Sequence, residues 1–181
     1  VVSLRCDYSC PYCQVSRQNA DKNQFDMTTE TADKALDLVF KSPSPVIKIE
    51  FQGGEPLLNF EMIQYVVRKA IDLNENEFHR DLQFVIATNL SFLDDQKMAF
   101  IEKHDIYIST SLDGPKEIHD KNRPRPGKDG HEITSKNIDI IREKLGPDKI
   151  SALMTTTELS LTSPEEIINE YIEKGFKSIF L

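Results

Sequence analysis

Residues 46–71, VIKIEFQGGEPLLNFEMIQYVVRKAI, contain a strand, a turn and a helix in succession and decide the fold class. Val46–Phe51 alternates apolar and polar residues, which predicts a strand. A turn with two glycines, Gly53 and Gly54, follows this strand. After Asn59, which we predict as the N-terminal cap, apolar residues recur at helical spacing. A strand that turns directly into an amphipathic helix is typical of α/β proteins.

The same alternation of strand and helix continues on both sides of this unit. We predict six strands, at residues 1–5, 46–51, 82–87, 106–112, 150–157 and 178–181, with five helices between them. Residues 113–131 are rich in glycine, proline and charge, and we predict that they form a long polar loop. The alternation predicts right-handed βαβ units and a parallel sheet, in an α/β fold that is a partial (β/α)6 TIM-like barrel. Such a barrel is open on one side, which suits a large substrate.

Polar or glycine-containing segments lie at the carboxyl ends of five of the predicted strands. In barrels and open parallel sheets, ligands bind at the edge formed by the carboxyl ends of the strands. The sequence therefore predicts a binding site at this edge. The five segments are the loop from Cys6 to Cys13, Gly53-Gly54-Glu55, Thr88-Asn89, residues 109–111 and residues 155–157.

Composition and charge narrow the function classes. The 181 residues suggest one domain of ordinary globular composition, with 39% hydrophobic and 29% charged residues. A formal net charge of -8 argues against general binding to nucleic acid or to anionic lipid, because both require a cationic surface. We also predict no membrane association, because no apolar run approaches the roughly 20 residues of a membrane span.

The three cysteines, Cys6, Cys10 and Cys13, all lie in one short segment. A disulfide framework spreads its cysteines along the chain, so this clustering indicates a metal centre instead. Three thiolates are one too few for a closed structural zinc site or for an ordinary electron-transfer cluster. A four-iron cluster with three cysteine ligands leaves one iron open to another ligand.

These motifs resemble those of the radical S-adenosylmethionine superfamily. The three cysteines are similar to the signature of that family, and so is the aromatic residue Tyr12 directly before the last of them. The stretch Gly53-Gly54-Glu55-Pro56 resembles the family's GGEP motif. Ser111, followed by Arg123, resembles the serine and downstream arginine that engage the cofactor in peptide-modifying members. The resemblance covers residues 1–181, which we interpret as a radical S-adenosylmethionine core domain.

The resemblance implies two cofactors, a 4Fe–4S cluster on Cys6, Cys10 and Cys13, and S-adenosyl-L-methionine on its open iron. One electron from the cluster then cleaves the sulfonium bond, and the 5′-deoxyadenosyl radical removes a hydrogen atom from a substrate carbon. The resemblance implies cofactor contacts for a further set of residues. They are Tyr12, Gly53, Gly54, Glu55, Thr88, Asn89, Ser111, Arg123 and Leu181.

Within the superfamily, the chain looks most like peptide maturases with a SPASM-type C-terminal domain. The anaerobic sulfatase-maturing enzymes and, closer still, the radical maturase of the His-Xaa-Ser system are the nearest relatives that we identify. Such a domain carries further cysteines, so we expect this chain to be the catalytic part of a longer protein. The implied substrate is a peptide or protein, with a His-Xaa-Ser repeat precursor as the leading candidate.

The resemblance also implies a cellular one-electron donor such as flavodoxin or ferredoxin. An oxygen-sensitive cluster favours the reducing cytoplasm. The catalytic general base is not assigned, because in the sulfatase-maturing relatives it lies beyond the position of Leu181.

Several alternatives remain open from the sequence. The enzyme could instead mature a sulfatase or form a thioether crosslink, and the cysteines could belong to a non-catalytic zinc or electron-transfer module. Gly53-Gly54 could be a simple tight turn, and Thr88-Asn89 a turn after a strand. Residues 109–111 could likewise be ordinary hydroxyls at a strand end.

Overall fold

The computed structural model describes residues 1–15 and 21–180 of the chain. Leu181, one of the predicted cofactor contacts, lies outside the described residues. The helices are α1 (Lys22–Phe25), α2 (Thr29–Val39), α3 (Phe60–Leu73), α4 (Asp95–Lys103), α5 (Lys116–Asn122), α6 (Gly130–Leu145) and α7 (Pro164–Glu173). The strands are β1 (Val46–Phe51), β2 (Asp81–Thr88), β3 (Tyr107–Ser111) and β4 (Ile150–Leu153).

The four strands form one parallel sheet in the order β1-β2-β3-β4. Each strand is joined to the next by a helical crossover, as the alternation in the sequence predicts. The carboxyl ends of the strands therefore meet at one edge of the sheet. This architecture is the predicted α/β partial barrel.

The first and sixth predicted strands are reduced to isolated bridges at the two sides of the sheet. Ser3 forms a parallel bridge with Gly53, which lies beyond the end of β1. Phe180 forms a parallel bridge with Leu153 at the end of β4. The predicted order of strands is thus retained, but pairing outside β1–β4 is too short to form regular strands within the described residues. The prediction of six full strands was wrong in this respect.

The predicted polar loop at residues 113–131 is also corrected by the structure. Helix α5 occupies its middle, and α6 begins at Gly130. Ile118 and His119 of α5 are buried, so this short helix is held by packing on the rest of the fold. Its charged residues and the flanking prolines obscured this helix in the sequence. The segment is consequently an ordered part of the fold beside the strand ends.

The core lies between the sheet and the helices that cover one of its faces. Ile86, Ile108 and Ala152 point to this face and are buried. The neighbouring residues in each strand point to the other, concave face, where Lys48 and Gln83 are exposed. No helix in the described ranges is both long enough and apolar enough to cross a bilayer.

Candidate functional site

A cavity of about 460 Å³ lies at the edge formed by the carboxyl ends of the strands. Its walls come from the cysteine loop, which we define as residues Cys6–Cys13, and from the ends of all four strands. The structure thus brings together almost all of the predicted site residues. Those that line the cavity are Cys6, Cys10, Tyr12, Cys13, Gly53, Gly54, Thr88, Asn89, Ser111 and Arg123.

The three cysteines are free thiols with different exposure. Cys6 and Cys10 are partly buried, and Cys13 is exposed. Burial raises the pKa of Cys6 to about 12 and also raises the pKa of Cys10, while the Arg123 guanidinium acts in the opposite direction on Cys10. Thiolates are the metal-binding form, so a metal centre must displace the protons of these two thiols when it binds.

The donor set consists of three thiols on one short loop. No three His, Cys, Asp or Glu side chains in residues 1–15 and 21–180 are grouped closely enough to hold one metal ion. In a four-iron cluster each cysteine binds a different iron, so the three sulfurs surround a volume and do not converge on one point. Three free thiols on the wall of one cavity, without a fourth cysteine in the sequence, fit a cluster with an open iron.

The two glycines after β1 allow the start of the chain to pack against this turn. A Cβ atom on Gly53 would lie 2.3 Å from the Ser3 carbonyl oxygen, and one on Gly54 would lie 2.5 Å from the Arg5 carbonyl oxygen. The backbone N–H of Gly54 donates to the Ser3 oxygen at 2.8 Å. The turn therefore needs glycine to position the entry to the cysteine loop. Contact of these glycines with a cofactor stays a prediction.

Glu55 is fully buried and does not line the cavity. Its Oε1 accepts hydrogen bonds from the Thr88 hydroxyl at 2.7 Å and the Leu57 N–H at 2.9 Å. Its Oε2 accepts the Asn89 N–H at 2.8 Å. Burial raises the pKa of Glu55 to about 7 despite these hydrogen bonds. The carboxyl group joins the turn after β1 to the end of β2, and its predicted cofactor contact stays a prediction.

Asp113 is a buried carboxylate just after β3, which the sequence analysis placed only at the start of the polar loop at residues 113–131. Its Oδ2 accepts the Tyr12 hydroxyl at 2.6 Å, and its Oδ1 accepts the Thr155 N–H at 3.2 Å. Arg123 Nε lies 3.0 Å from Oδ1, but its N–H is not aligned for a hydrogen bond, so the contact is an ion pair. The Arg123 guanidinium also lies 5.5 Å from the centre of the Tyr12 ring.

Asp113 thus connects two predicted cofactor contacts, Tyr12 and Arg123, to the ends of β3 and β4. The signal in the sequence was the position of an aspartate directly after a strand that ends in Ser109-Thr110-Ser111. A strand end of this kind could have marked Asp113 as a member of the site.

Asp7, inside the cysteine loop, is a second carboxylate that the sequence reasoning missed. Its Oδ1 accepts hydrogen bonds from Asn89 Nδ2 at 3.2 Å and from the Ser91 hydroxyl at 3.1 Å. The amide of Asn89 also lies 3.9 Å from the Cys6 sulfur. These contacts connect the cysteine loop to the end of β2.

The geometry gives the cavity two different kinds of surface. Thiols line the side formed by the cysteine loop, and Ser109 and Ser111 line the side formed by β3. Glu50 on the concave face accepts a hydrogen bond from Gln52 Nε2 at 2.7 Å. Soft metal ligands beside hydroxyl, amide and carboxylate groups suit a metal cluster together with a polar small molecule.

The profile of the Radical SAM superfamily matches residues 1–171. An uncharacterised protein of Methanocaldococcus jannaschii is 34% identical over 179 residues, which cover 98% of this chain and 59% of that protein. The radical SAM cyclopropyl synthase TigE of Paramaledivibacter caminithermalis is 29% identical over 157 residues, which cover 79% of this chain and 32% of TigE. Other relatives include anaerobic sulfatase-maturating enzymes.

A solved structure, native anSMEcpe with bound AdoMet and Kp18Cys peptide, has the same fold. Its TM-score is 0.83 at 22% identity, and the match covers 98% of this chain and 48% of that chain. The likeness confirms the predicted partial barrel. The chain spans 59% of the Methanocaldococcus relative and smaller shares of TigE and anSMEcpe.

Proposed function

Because the chain belongs to the radical SAM superfamily, whose cofactors are a 4Fe–4S cluster and S-adenosylmethionine, we propose that it forms the catalytic core of a peptide- or protein-modifying radical enzyme. The observation that carries the proposal is the single cavity in which the three cysteines meet the ends of four parallel strands. The bound cofactors supply a 5′-deoxyadenosyl radical that removes a hydrogen atom from a substrate carbon.

In this proposal Cys6, Cys10 and Cys13 hold the cluster. All three are free, and the only other groups of comparable softness in the chain are its methionines. The loop that carries them would hold the cluster at the wall of the cavity, next to the carboxyl ends of the strands.

The remaining predicted contacts divide between two sides of the cavity. We assign the methionine part of S-adenosylmethionine to the turn of Gly53 and Gly54, with Glu55 holding that turn against β2. We assign the other side of the cofactor to Tyr12, Ser111 and Arg123, which the Asp113 carboxylate helps to position.

Thr88 and Asn89 lie between these two sides, at the end of β2. We propose that they lie beside the bound cofactor. The predicted contact of Leu181 with the cofactor also remains part of the proposal. It rests on the resemblance alone.

A peptide substrate is supported by the concave face of the sheet and by the relatives. The face is open and carries Lys48, Glu50, Gln83, Ser109 and Ser151, whose polar groups could pair with peptide N–H and C=O groups. The sulfatase-maturating relatives support a protein substrate, whereas the TigE relative supports formation of a carbon ring. Our leading substrate remains a His-Xaa-Ser repeat peptide, with the reducing cytoplasm as the compartment and a flavodoxin or ferredoxin as electron donor.

The first test is anaerobic reconstitution with iron and sulfide, followed by dithionite and S-adenosylmethionine. We expect 5′-deoxyadenosine by mass spectrometry, and its loss in Cys10→Ala. The exposed turn residue Thr162, outside the cavity, provides the control Thr162→Ala, which should retain the activity.

A fully loaded cluster that never yields 5′-deoxyadenosine would contradict the catalytic proposal and favour a non-catalytic metal or electron-transfer module. Incubation of the active protein with His-Xaa-Ser, sulfatase-derived and thioether-precursor peptides then identifies the substrate class. The mass change distinguishes oxidation of a serine or cysteine from formation of a ring or crosslink.

A further inference from the structure

Three consecutive residues, Arg123, Pro124 and Arg125, lie directly after α5 and contact three different parts of the cysteine loop. Arg123 lies over the ring of Tyr12 near the end of the loop. The Pro124 carbonyl oxygen accepts the N–H of Ser9 at 2.7 Å, in the middle of the loop. We call residues 123–125 the clasp segment.

Arg125 contacts the first part of the loop. Its Nε lies 3.3 Å from Asp7 Oδ2, and its guanidinium lies 5.8 Å from the centre of the Tyr8 ring. Asp129, four residues further along, pairs with the same guanidinium and holds it in this direction. Unlike Arg123, Arg125 is not among the residues that line the cavity. Arg125 is therefore placed to contact the loop and not a ligand in the cavity.

The cysteine loop has few means of ordering itself. Only one backbone hydrogen bond joins two of its residues, from the Cys13 N–H to the Cys10 oxygen at 3.1 Å. Asp7 is fixed on one side by Asn89 and Ser91 from the end of β2. The clasp segment supplies the contacts on the other side, so the loop is held between two separate parts of the fold.

Ordering matters because free backbone must lose conformational entropy when it binds a rigid group. Fixing one residue costs about 1–2 kcal/mol, and this cost reduces binding unless the loop is ordered beforehand. Three cysteine side chains from one short loop must match a cluster of fixed shape at the same time. A loop that is ordered before the metal arrives binds it more tightly and releases it more slowly.

We propose that the clasp segment orders the cysteine loop before the cluster binds, with Arg125 as a positioning residue. This inference rests on the proposed function for the identity of the cluster, but the ordering itself is a property of the cluster-free chain. Arg125 is assigned no contact with the cluster, with S-adenosylmethionine or with the substrate.

The test compares Arg125→Gln with Lys121→Gln in the full chain. Lys121 is an exposed cation at the end of the same short helix, so both variants remove one positive charge from the same region. Amide hydrogen exchange is measured over the peptides that contain residues 6–13, without iron. We expect Arg125→Gln to exchange about three- to tenfold faster in this loop, from the combined loss of the ion pair and the ring contact. Exchange in β1–β4 should not change.

The second measurement is cluster retention after anaerobic reconstitution. Arg125→Gln should lose its cluster to an iron chelator faster than the wild type, by a similar factor, whereas Lys121→Gln should match the wild type. Asp7→Asn removes the other side of the same ion pair. If the two groups act together, the double variant should resemble the more affected single variant.

The outcomes separate this inference from the proposed function. Unchanged loop exchange in both Arg125→Gln and Asp7→Asn would overturn the inference, as would faster exchange throughout the sheet. A wild-type chain that never binds a cluster would remove the proposed function, while faster loop exchange in the variants would still support ordering by the clasp segment. If Arg125→Gln does not fold, Asp7→Asn decides the question by the same exchange measurement.

Discussion

The two faces of the sheet are built from alternate residues of the same strands but have opposite properties. On β3, Ile108 is buried under the helices, while its neighbour Ser109 lines the cavity on the concave face. On β2, Ile86 is buried in the core, while Gln83 is exposed on the concave face. One face therefore provides the stability of the fold, and the other is available for ligands.

This difference follows from the open form of the barrel. A closed eight-stranded barrel fills its interior with layers of branched apolar side chains. Here four strands leave the concave face uncovered within the described residues, so apolar side chains there would gain little from burial. The exception is the edge of the site, where Asp113 and Arg123 form a buried ion pair. At this edge the groups of the candidate site also contribute to stability.

The largest expected loss of stability comes from disrupting the buried ion pair at this edge. Asp113→Asn removes the counter-charge of Arg123, whose side chain is largely buried. We expect the free energy of unfolding to fall by about 3–5 kcal/mol, because an unpaired charge remains in a buried site. Denaturant unfolding monitored by circular dichroism measures the change.

The control is Asp105→Asn, which removes an exposed carboxylate paired with Lys149. It should change stability by no more than about 0.5 kcal/mol. Equal losses of unfolding free energy in the two variants would show that burial does not increase the contribution of the Asp113–Arg123 pair to stability.

Neighbouring residues on β3 allow the two faces of the sheet to be compared directly. Ile108→Ala should reduce the free energy of unfolding by about 2–5 kcal/mol, because it leaves a cavity in the core. Ser109→Ala should stay within about 0.5 kcal/mol of the wild type. The same denaturant titration serves both variants, and similar losses would contradict the division between the two faces.

A smaller effect is expected on the pH dependence of the folding stability. His119 of α5 is buried, and its Nδ1 accepts the Asp113 N–H at 3.3 Å. Burial, with a further contribution from Arg123, lowers the pKa of His119 to about 3. Below the unfolded-state pKa of about 6.5, the unfolded chain binds the proton and the folded chain does not, so stability falls as pH falls.

For this single group, the loss of stability between pH 7 and pH 5 is about 2 kcal/mol. His119→Gln should remove that part of the pH dependence. The control His79→Asn changes an exposed histidine with a positive φ, which asparagine tolerates, and should leave the slope unchanged. A slope that persists in His119→Gln would assign the pH dependence to other groups.

Much of the candidate site could be predicted because its main signals are local. The cysteines lie within one loop, and Gly53 and Gly54 follow directly after a strand. Once the strands are parallel, segments at their carboxyl ends must share one edge of the sheet, which places Thr88 and Ser111 near the cysteine loop. This reasoning needs only strand positions and direction.

The residues that hold the site together could not be predicted in the same way. Tyr12 and Asp113 are 101 positions apart in the chain, and Asp7 and Arg125 are 118 apart. In the sequence, Asp113 looks like an ordinary turn residue, and Arg125 was not considered for the site. Their roles depend on the side chains that fold against them.

The sequence by itself determined the alternation of strand and helix, the loop with three cysteines and the edge of the sheet at which a site forms. These properties depend on residue types within short windows, since a strand, a helix stripe or a cysteine cluster involves neighbours along the chain. Only the tertiary structure decided that Glu55 supports β2 from the interior and that Asp113 and Arg125 hold the cysteine loop. These contacts join residues that are far apart in sequence. They form only because folding brings the residues together at the same edge of the sheet.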